Sequence, residues 1–360
     1  MPHLFVSLTA HGYGHLAQVA PVVAELAARL PGLRLTLQGD LAPGFVRSRL
    51  PAGLRHLREA ADLGLIMDGP LVTRWEESLT AYERFVADQE RHLARQREIL
   101  AADPPDLVLG NVPWVPLAAA RSLGIPAVSL SSLNWYDVLV ESPVGHRLLP
   151  TVGDALREAY SATDLFIRPA PAMPMTWLPR ACDVGPISGL YPRDKAALRR
   201  RIGVAAGRPL VLVQFGGFPG LDPLEDWPLS STVHWLVPEL PGGGRADATS
   251  LAAHDLRVPD VLGACDAMIA KPGYGTFAEA ACHGIPVLYV SRSDWPEEPH
   301  LTRWLADRVP LREIGLADLM AGRVAGPLGE LLAAPHPVPT EPTGVAEAAD
   351  LIQALLPSLP

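Results

Sequence analysis

Two short stretches combine glycines with residues able to do chemistry. In Lys271-Pro272-Gly273-Tyr274-Gly275-Thr276 the glycines let the backbone come close to an anion. The segment stands between an apolar run, Ala267-Met268-Ile269, and a helical pattern that continues through His283. A helix beginning here presents free N–H groups and the positive end of its dipole, so a diphosphate is its natural occupant. Glu279, one turn further, is within reach of ribose hydroxyls. The same residues permit a second account: Thr276-x-x-Glu279 is a capping-box pattern, in which Thr276 caps the helix and Glu279 folds back onto it without any ligand.

The other stretch is Ala10-His11-Gly12-Tyr13-Gly14-His15. Gly12-x-Gly14-x-x-Ala17 fits the dinucleotide fingerprint, and Asp40 ends the next strand pattern, where a ribose-binding acid would stand. A nicotinamide-dependent oxidoreductase is therefore a rival expectation. Against it, His11 and His15 flank the glycines where an imidazole would crowd a pyrophosphate. A histidine at a cleft mouth, titrating at about 6.5, can serve as a general base; alternatively it is a helix-start histidine bonded to a neighbouring backbone group. A third stretch, Asp294-Trp295-Pro296-Glu297-Glu298-Pro299-His300, places carboxylates after a strand, either to hold sugar hydroxyls or as a solvated acidic loop. Asn111 and Asp137 also follow strand patterns and could face the same cleft. No zinc spacing, G-x-S-x-G elbow or G-x-x-x-x-G-K-[ST] loop is found.

The elements that must carry these residues alternate. Leu4–Leu8 is an apolar run; Leu16, Val19, Ala20, Val23, Leu26, Ala27 and Leu30 follow at helical spacing; Pro31-Gly32 stops the helix and Leu33–Gln38 forms a second strand. One long helix is expected over Trp75–Ala101, strands at Leu107–Leu109 and Ala127–Leu130, helices at Trp114–Leu123 and Thr151–Ala162, and a last strand of this half at Leu165–Ile167. A Pro- and Gly-rich connection spans Pro169–Pro192. The second half opens with the strand Pro209–Phe215 running into Gly216-Gly217, followed by a strand at Thr232–Val237, a surface turn at Gly242-Gly243-Gly244, a helix at Pro259–Cys265 and strands at Ala267–Ile269 and Pro286–Val290. An amphipathic helix over Gly344–Leu356 closes the chain. The pattern predicts an α/β protein with parallel sheets: domains at 1–180 and 181–340, and a terminal segment at 341–360. Ligands of such sheets bind beyond the carboxyl ends of the strands, so both glycine turns would line one cleft.

Composition narrows the function. The 360 residues suit two domains, and the net charge of −9 with scattered Lys and Arg gives no basic face for nucleic acid and no attraction to an anionic membrane. The densest basic cluster, Arg199-Arg200-Arg201, fits a solvated helix end. Three cysteines form neither metal spacing nor a disulfide framework. No signal segment or membrane-spanning run is read, so a cytoplasmic protein without integral membrane association is expected.

These residues together resemble a family. Ala10-His11-Gly12-Tyr13-Gly14-His15, Ala270–Thr276 with Glu279-Ala280, and Glu297-Glu298-Pro299, supported by Phe215-Gly216-Gly217 and Asp106-Leu107-Val108, are similar in order to GT-B glycosyltransferases. The chain most resembles the glycosyltransferase-like N-terminal part of plant L-arabinokinases and their bacterial relatives. It is more distantly similar to the N-acetylglucosamine transferase of peptidoglycan synthesis and to plant UDP-glycosyltransferases. The kinase half of the arabinokinases has no counterpart, so sugar phosphorylation is not expected.

The resemblance implies two Rossmann-like domains facing across a cleft. The second domain would bind a nucleoside-diphosphate sugar, UDP-linked, as donor. Lys271, Gly273, Tyr274, Gly275 and Thr276 would meet the diphosphate, with Gly216 and Gly217 opposite and Glu279 on the ribose. Glu297 and Glu298 match the Asp/Glu-Gln pair that many plant enzymes place on donor hydroxyls, with Glu298 in the Gln position. His11, Gly12 and Gly14 form the first loop, and His15 matches the catalytic base of hydroxyl-glycosylating relatives. The acid that orients this base is replaced by Asn111, leaving Asp137 to substitute or the base weaker. The last helix would cross back onto the first domain, and no cofactor or metal is implied. The expected activity is transfer of a sugar to a hydroxyl of a small-molecule or glycan acceptor. A catalytically idle sugar-nucleotide binder and a UDP-sugar epimerase are the alternatives within this fold.

Overall fold

The computed structural model describes residues 1–9, 11, 14–216, 221, 223–240 and 244–357. Gly12, Gly217 and the Gly242-Gly243 part of the expected turn lie outside the described residues. Two parallel sheets follow one another along the chain. The first holds β1 (His3–Leu8), β2 (Arg34–Gln38), β3 (Arg55–Leu57), β4 (Leu107–Asn111), β5 (Ala127–Leu130), β6 (Leu165–Pro169) and β7 (Ala181–Val184), in the order β3-β2-β1-β4-β5-β6-β7. The second holds β8 (Leu210–Gln214), β9 (His234–Val237), β10 (Ala248–Ser250), β11 (Ala267–Ala270), β12 (Val287–Tyr289) and β13 (Leu311–Glu313), in the order β10-β9-β8-β11-β12-β13. Helices cover both faces, which is why β1, β4, β5, β9 and β11 are buried along their whole length and read as continuous apolar runs.

In each sheet the strand order reverses once beside the first strand: between β1 and β4, and between β8 and β11. Loops leaving two such neighbours turn to opposite faces and leave a crevice at the carboxyl end. The helix α1 (Gly14–Arg29) follows β1, and α2 (Tyr274–His283) follows β11. Their first turns pack against each other: a Cβ placed on Gly275 would stand 3.2 Å from Ala17 Cβ and 3.8 Å from Gly14 Cα. The two crevices therefore open onto one space.

Several expectations change in detail. β7 pairs in parallel with β6, so the first sheet runs past the expected end at residue 180 and the connection between the sheets starts after Val184. The expected long helix is two, Trp75–Ala87 and Gln89–Ala102, interrupted at Asp88. The helix expected at Pro259–Cys265 is one short α-turn, Val258–Val261, continued by a 3-10 turn. The helix at the chain end, α4 (Gly344–Gln353), crosses back onto the first domain; Ala348, Ala349 and Ile352 join the core beneath α1, and Glu347 accepts from Gly185 N–H at 2.7 Å. The label α3 is given to Glu298–Ala306, which follows β12. Among the described residues no helix is long and apolar enough to cross a membrane, and no group of His, Cys, Asp and Glu could hold a metal ion.

Candidate active site

The space between the two crevices is a cavity of about 390 Å³. Its first-domain wall includes His11, Gly14, His15, Gln18, Arg49 and Ser132; its second-domain wall includes Gly216, Lys271, Gly273–Thr276, Glu279, Arg292, Trp295 and Glu297.

The second-domain turn is an anion cradle by construction. β11 ends at Ala270, and Gly273, in an extended conformation, precedes the first helical residue, Tyr274. Phe277 N–H is the first to bond back, to Gly273 O at 3.0 Å, which leaves the N–H groups of Tyr274, Gly275 and Thr276 at the helix mouth. Opposite them Gly216 takes φ +79°, a left-handed conformation that suits glycine, and its Cβ position lies 3.5 Å from Lys271 Cε. Burial, with Arg292 nearby, lowers the Lys271 ammonium to about 7, and Glu297 opposes the shift.

The capping-box account fails here. The helix starts two residues before Thr276, which has no capping bond, and Glu279 reaches away from the helix start. Glu279 accepts from Tyr191 Oη at 2.9 Å and pairs with Arg49 of the first domain at 3.5 Å. Burial raises its pKa, and Arg49 and Tyr191 work against that rise. Tyr274 lines the cavity with its ring, but its hydroxyl accepts from Ile187 N–H at 2.9 Å and donates to Ala170 O at 3.3 Å, so it ties the connection to the helix.

The acidic stretch is not a solvated loop. Glu297 is 3% exposed and accepts from Ser132 Oγ across the domain boundary at 2.7 Å and from Trp295 Nε1 at 3.2 Å. Glu298, also buried, accepts from Ser291 Oγ at 2.5 Å and from Arg292 N–H at 2.6 Å. The expected role of Glu298 on a sugar hydroxyl is thereby displaced: its carboxylate closes the loop between β12 and α3, and it is not in the cavity wall. Of the acidic pair, only Glu297 is.

In the first-domain crevice His15, the second residue of α1, holds Nδ1 2.8 Å from Asn111 Oδ1 at the end of β4. The Asn111 amide is oriented by its other contacts. Its Nδ2 donates to Leu130 O at 2.6 Å and to Gln18 Oε1 at 2.5 Å, and a backbone carbonyl can only accept. Asn111 Oδ1 is therefore the acceptor, His15 Nδ1 carries the proton, and Nε2 carries a lone pair. Burial lowers the His15 pKa to about 4, with Lys271 adding to the shift and Asn111 opposing it, so the ring is neutral across the physiological range.

Asp137 does not substitute as the orienting acid. It sits in the first turn of the helix Trp135–Val140 and accepts from Asn134 Nδ2 at 2.6 Å and Trp177 Nε1 at 3.0 Å, outside the cavity wall. His11 is stacked on Trp295 at 5.8 Å and meets Trp135 edge-on at 5.6 Å, while its Nδ1 accepts from Leu65 N–H at 3.4 Å. The helix-start account, a ring bonded to neighbouring backbone, describes neither: His11 stands before α1 and accepts from Leu65 N–H, far along the chain, and His15 bonds a side chain. Asp40, the acid a dinucleotide would need, is exposed and paired with Arg58 at 3.0 Å, away from the cavity.

Arg49, Ser132, Tyr191, Arg292 and Trp295 complete the site without having been singled out from the sequence. Arg292 and Trp295 carried a signal, since they follow β12 at the carboxyl edge of the sheet. The other three are brought in by tertiary contacts alone.

Comparison with known proteins agrees with this architecture. No family model matches the chain. It is 27% identical over 317 residues to L-arabinokinase of Arabidopsis thaliana, covering 83% of this chain and 29% of that protein. It is 26% identical over 244 residues to the UDP-N-acetylglucosamine–N-acetylmuramyl-(pentapeptide) pyrophosphoryl-undecaprenol N-acetylglucosamine transferase of Bifidobacterium longum, covering 58% of this chain and 60% of that protein. The chain thus spans less than two thirds of the length of either relative. Among solved structures it superposes on the glycotransferase of kitacinnamycin with a TM-score of 0.62 at 18% identity, covering 99% of this chain and 100% of that one. The chain has the GT-B fold.

Proposed function

We propose that the protein transfers a sugar from a nucleoside-diphosphate donor to an acceptor hydroxyl, with the two crevices dividing the work. The observation that carries this is the His15–Asn111 pair. It holds a neutral imidazole with its Nε2 lone pair available, one residue from the Gly14–Gly275 contact and so beside the mouth of α2. A base there removes the acceptor proton while the helix mouth, Gly216 and Lys271 stabilise the departing diphosphate. Glu279, with Arg49 and Tyr191, holds the ribose, and Glu297 meets the sugar. The UDP-sugar transferase among the relatives supports a UDP-linked donor, and no cofactor beyond it is proposed.

The exposed Asp40 counts against a dinucleotide. The test is direct: UDP, dTDP and NAD are titrated separately, then a UDP-sugar panel is incubated with hydroxyl acceptors and the products identified by mass. UDP binding with a glycosylated product is expected. Binding of NAD alone, or conversion of a UDP-sugar to its epimer with no acceptor consumed, would overturn the assignment.

A further inference from the structure

Arg292 is a buried cation with carboxylates nearby but no hydrogen-bond acceptor for two of its guanidinium nitrogens among the described residues. It is 5% exposed, lines the cavity, and its guanidinium lies over the Trp295 ring at 4.1 Å from the centroid. Its Nε and Nη2 have no hydrogen-bond partner among the described residues. Three carboxylates are near enough to attract it, Glu297, Asp294 and Glu298, but each is directed at other donors. Glu297 accepts from Ser132 Oγ and Trp295 Nε1, Asp294 from Trp75 Nε1 at 2.6 Å, and Glu298 from Ser291 Oγ and the Arg292 backbone. Removing a guanidinium from water without giving it an acceptor is unfavourable. Its pKa falls only to about 10, so it stays charged at neutral pH.

Arg292 adjoins Lys271, which stands beside Gly216, but its guanidinium lies over the Trp295 ring, on which His11 also stacks. Arg292 therefore stands on the Trp295–His11 side of the cavity. Its guanidinium, seated over the Trp295 ring at the cavity wall, is a planar fork of donors, the shape that suits a two-oxygen acceptor.

The geometry points to Arg292 as the receptor for a second anionic group of the substrate, a carboxylate carried by the transferred sugar or by the acceptor. This rests on the nucleotide-sugar assignment and narrows it to an acidic sugar substrate.

The experiment titrates UDP, UDP-glucose and UDP-glucuronate into the wild type and Arg292→Gln, then free glucuronate into each protein with and without UDP. If the carboxylate is on the donor, the wild type binds UDP-glucuronate at least tenfold tighter than UDP-glucose, and Arg292→Gln binds both alike with UDP unchanged. If it is on the acceptor, the two UDP-sugars bind alike, but glucuronate binds the UDP-loaded wild type and not the variant. Arg292→Lys keeps the charge without the fork and should retain part of the preference; it replaces the Gln variant should that one melt early. Equal loss for all three nucleotides would assign Arg292 to the diphosphate, and no carboxylate effect in any arm would leave it without this role; either result overturns the inference. Absence of UDP binding to the wild type would sink the nucleotide assignment alone, and glucuronate without nucleotide then decides on Arg292.

Discussion

The two crevices occupy equivalent positions in their sheets, at the single reversal of strand order, and each opens into a helix with a glycine in its first turn. They nevertheless offer opposite chemistry. At the second, the first N–H groups of α2, on Tyr274, Gly275 and Thr276, have no intrahelical acceptor and stand beside a lysine, which suits an anion. At the first, an imidazole stands on the second residue of α1 and is tied to the neighbouring strand through Asn111, which suits a proton acceptor. In the proposed reaction one scaffold would serve as a leaving-group site at one helix mouth and as a base at the other. Because the two mouths touch, base and leaving group would then share the same space.

The largest expected break in this comparison is His15→Ala. Turnover should fall roughly a hundred- to ten-thousand-fold, the usual weight of a general base, while UDP affinity stays within a few-fold. Equal turnover would remove His15 from the chemistry. With its pKa lowered to about 4, the ring is neutral above that value, so activity governed by His15 should persist down to about pH 5 instead of falling near 6.5. A limb at 6.5 would point to another group.

Asn111→Asp comes next and asks whether the amide is a weakened acid or the group the site requires. An acid at this position would put a carboxylate oxygen against Leu130 O and Gln18 Oε1, where Nδ2 now donates. A stability loss of about 3 kcal/mol is expected from the buried unpaired charge, read by denaturant unfolding. A variant as stable as the wild type and faster would instead make Asn111 a handicap.

On the anion side, Glu279→Gln should weaken UDP binding about tenfold, the worth of a charge-assisted hydrogen bond. Unchanged affinity with reduced stability would make Glu279 a structural partner of Arg49 and Tyr191. The smallest effect concerns Lys271. Near 7 in the free protein, it is mostly neutral at pH 8, and a bound diphosphate raises its pKa. UDP binding at pH 8 should therefore take up a proton, seen calorimetrically in buffers of different ionisation enthalpy, and affinity should fall from pH 7 to 9. Lys271→Met should abolish the uptake. The folded-state value lies below the ordinary 10.5, so the unfolded chain binds more protons between these values and the Lys271 contribution to stability increases as pH rises through that window.

Much of this was legible in the chain. Buried strands ending in glycine turns, followed by helical spacing, placed both crevices, and the families they resemble set their order. The failures are instructive. The Thr276-x-x-Glu279 spacing matched a capping box, but the turn after β11 starts the helix at Tyr274 and hands Glu279 to Arg49 and Tyr191. The pair Glu297-Glu298 matched a pair of ligands for donor hydroxyls, yet one bends into its own loop. Asp137 stood after a strand, as an orienting acid should, but Trp177 and Asn134 claim it. In each case local pattern named the residue, and its hydrogen-bond partners, distant for Glu279 and local for Glu298, decided where its oxygens went.

By itself the sequence determined the alternation of strands and helices, the two glycine turns and the residue types at their ends, because these depend on periodicity and backbone freedom over a few neighbouring residues. The tertiary structure decided the state of particular atoms: that His15 turns Nδ1 to Asn111, that burial brings Lys271 to about 7, and that Nε and Nη2 of Arg292 have no acceptor among the described residues. Those properties depend on burial and on hydrogen-bond partners from other elements, and they exist only once the two sheets bring their switch points together.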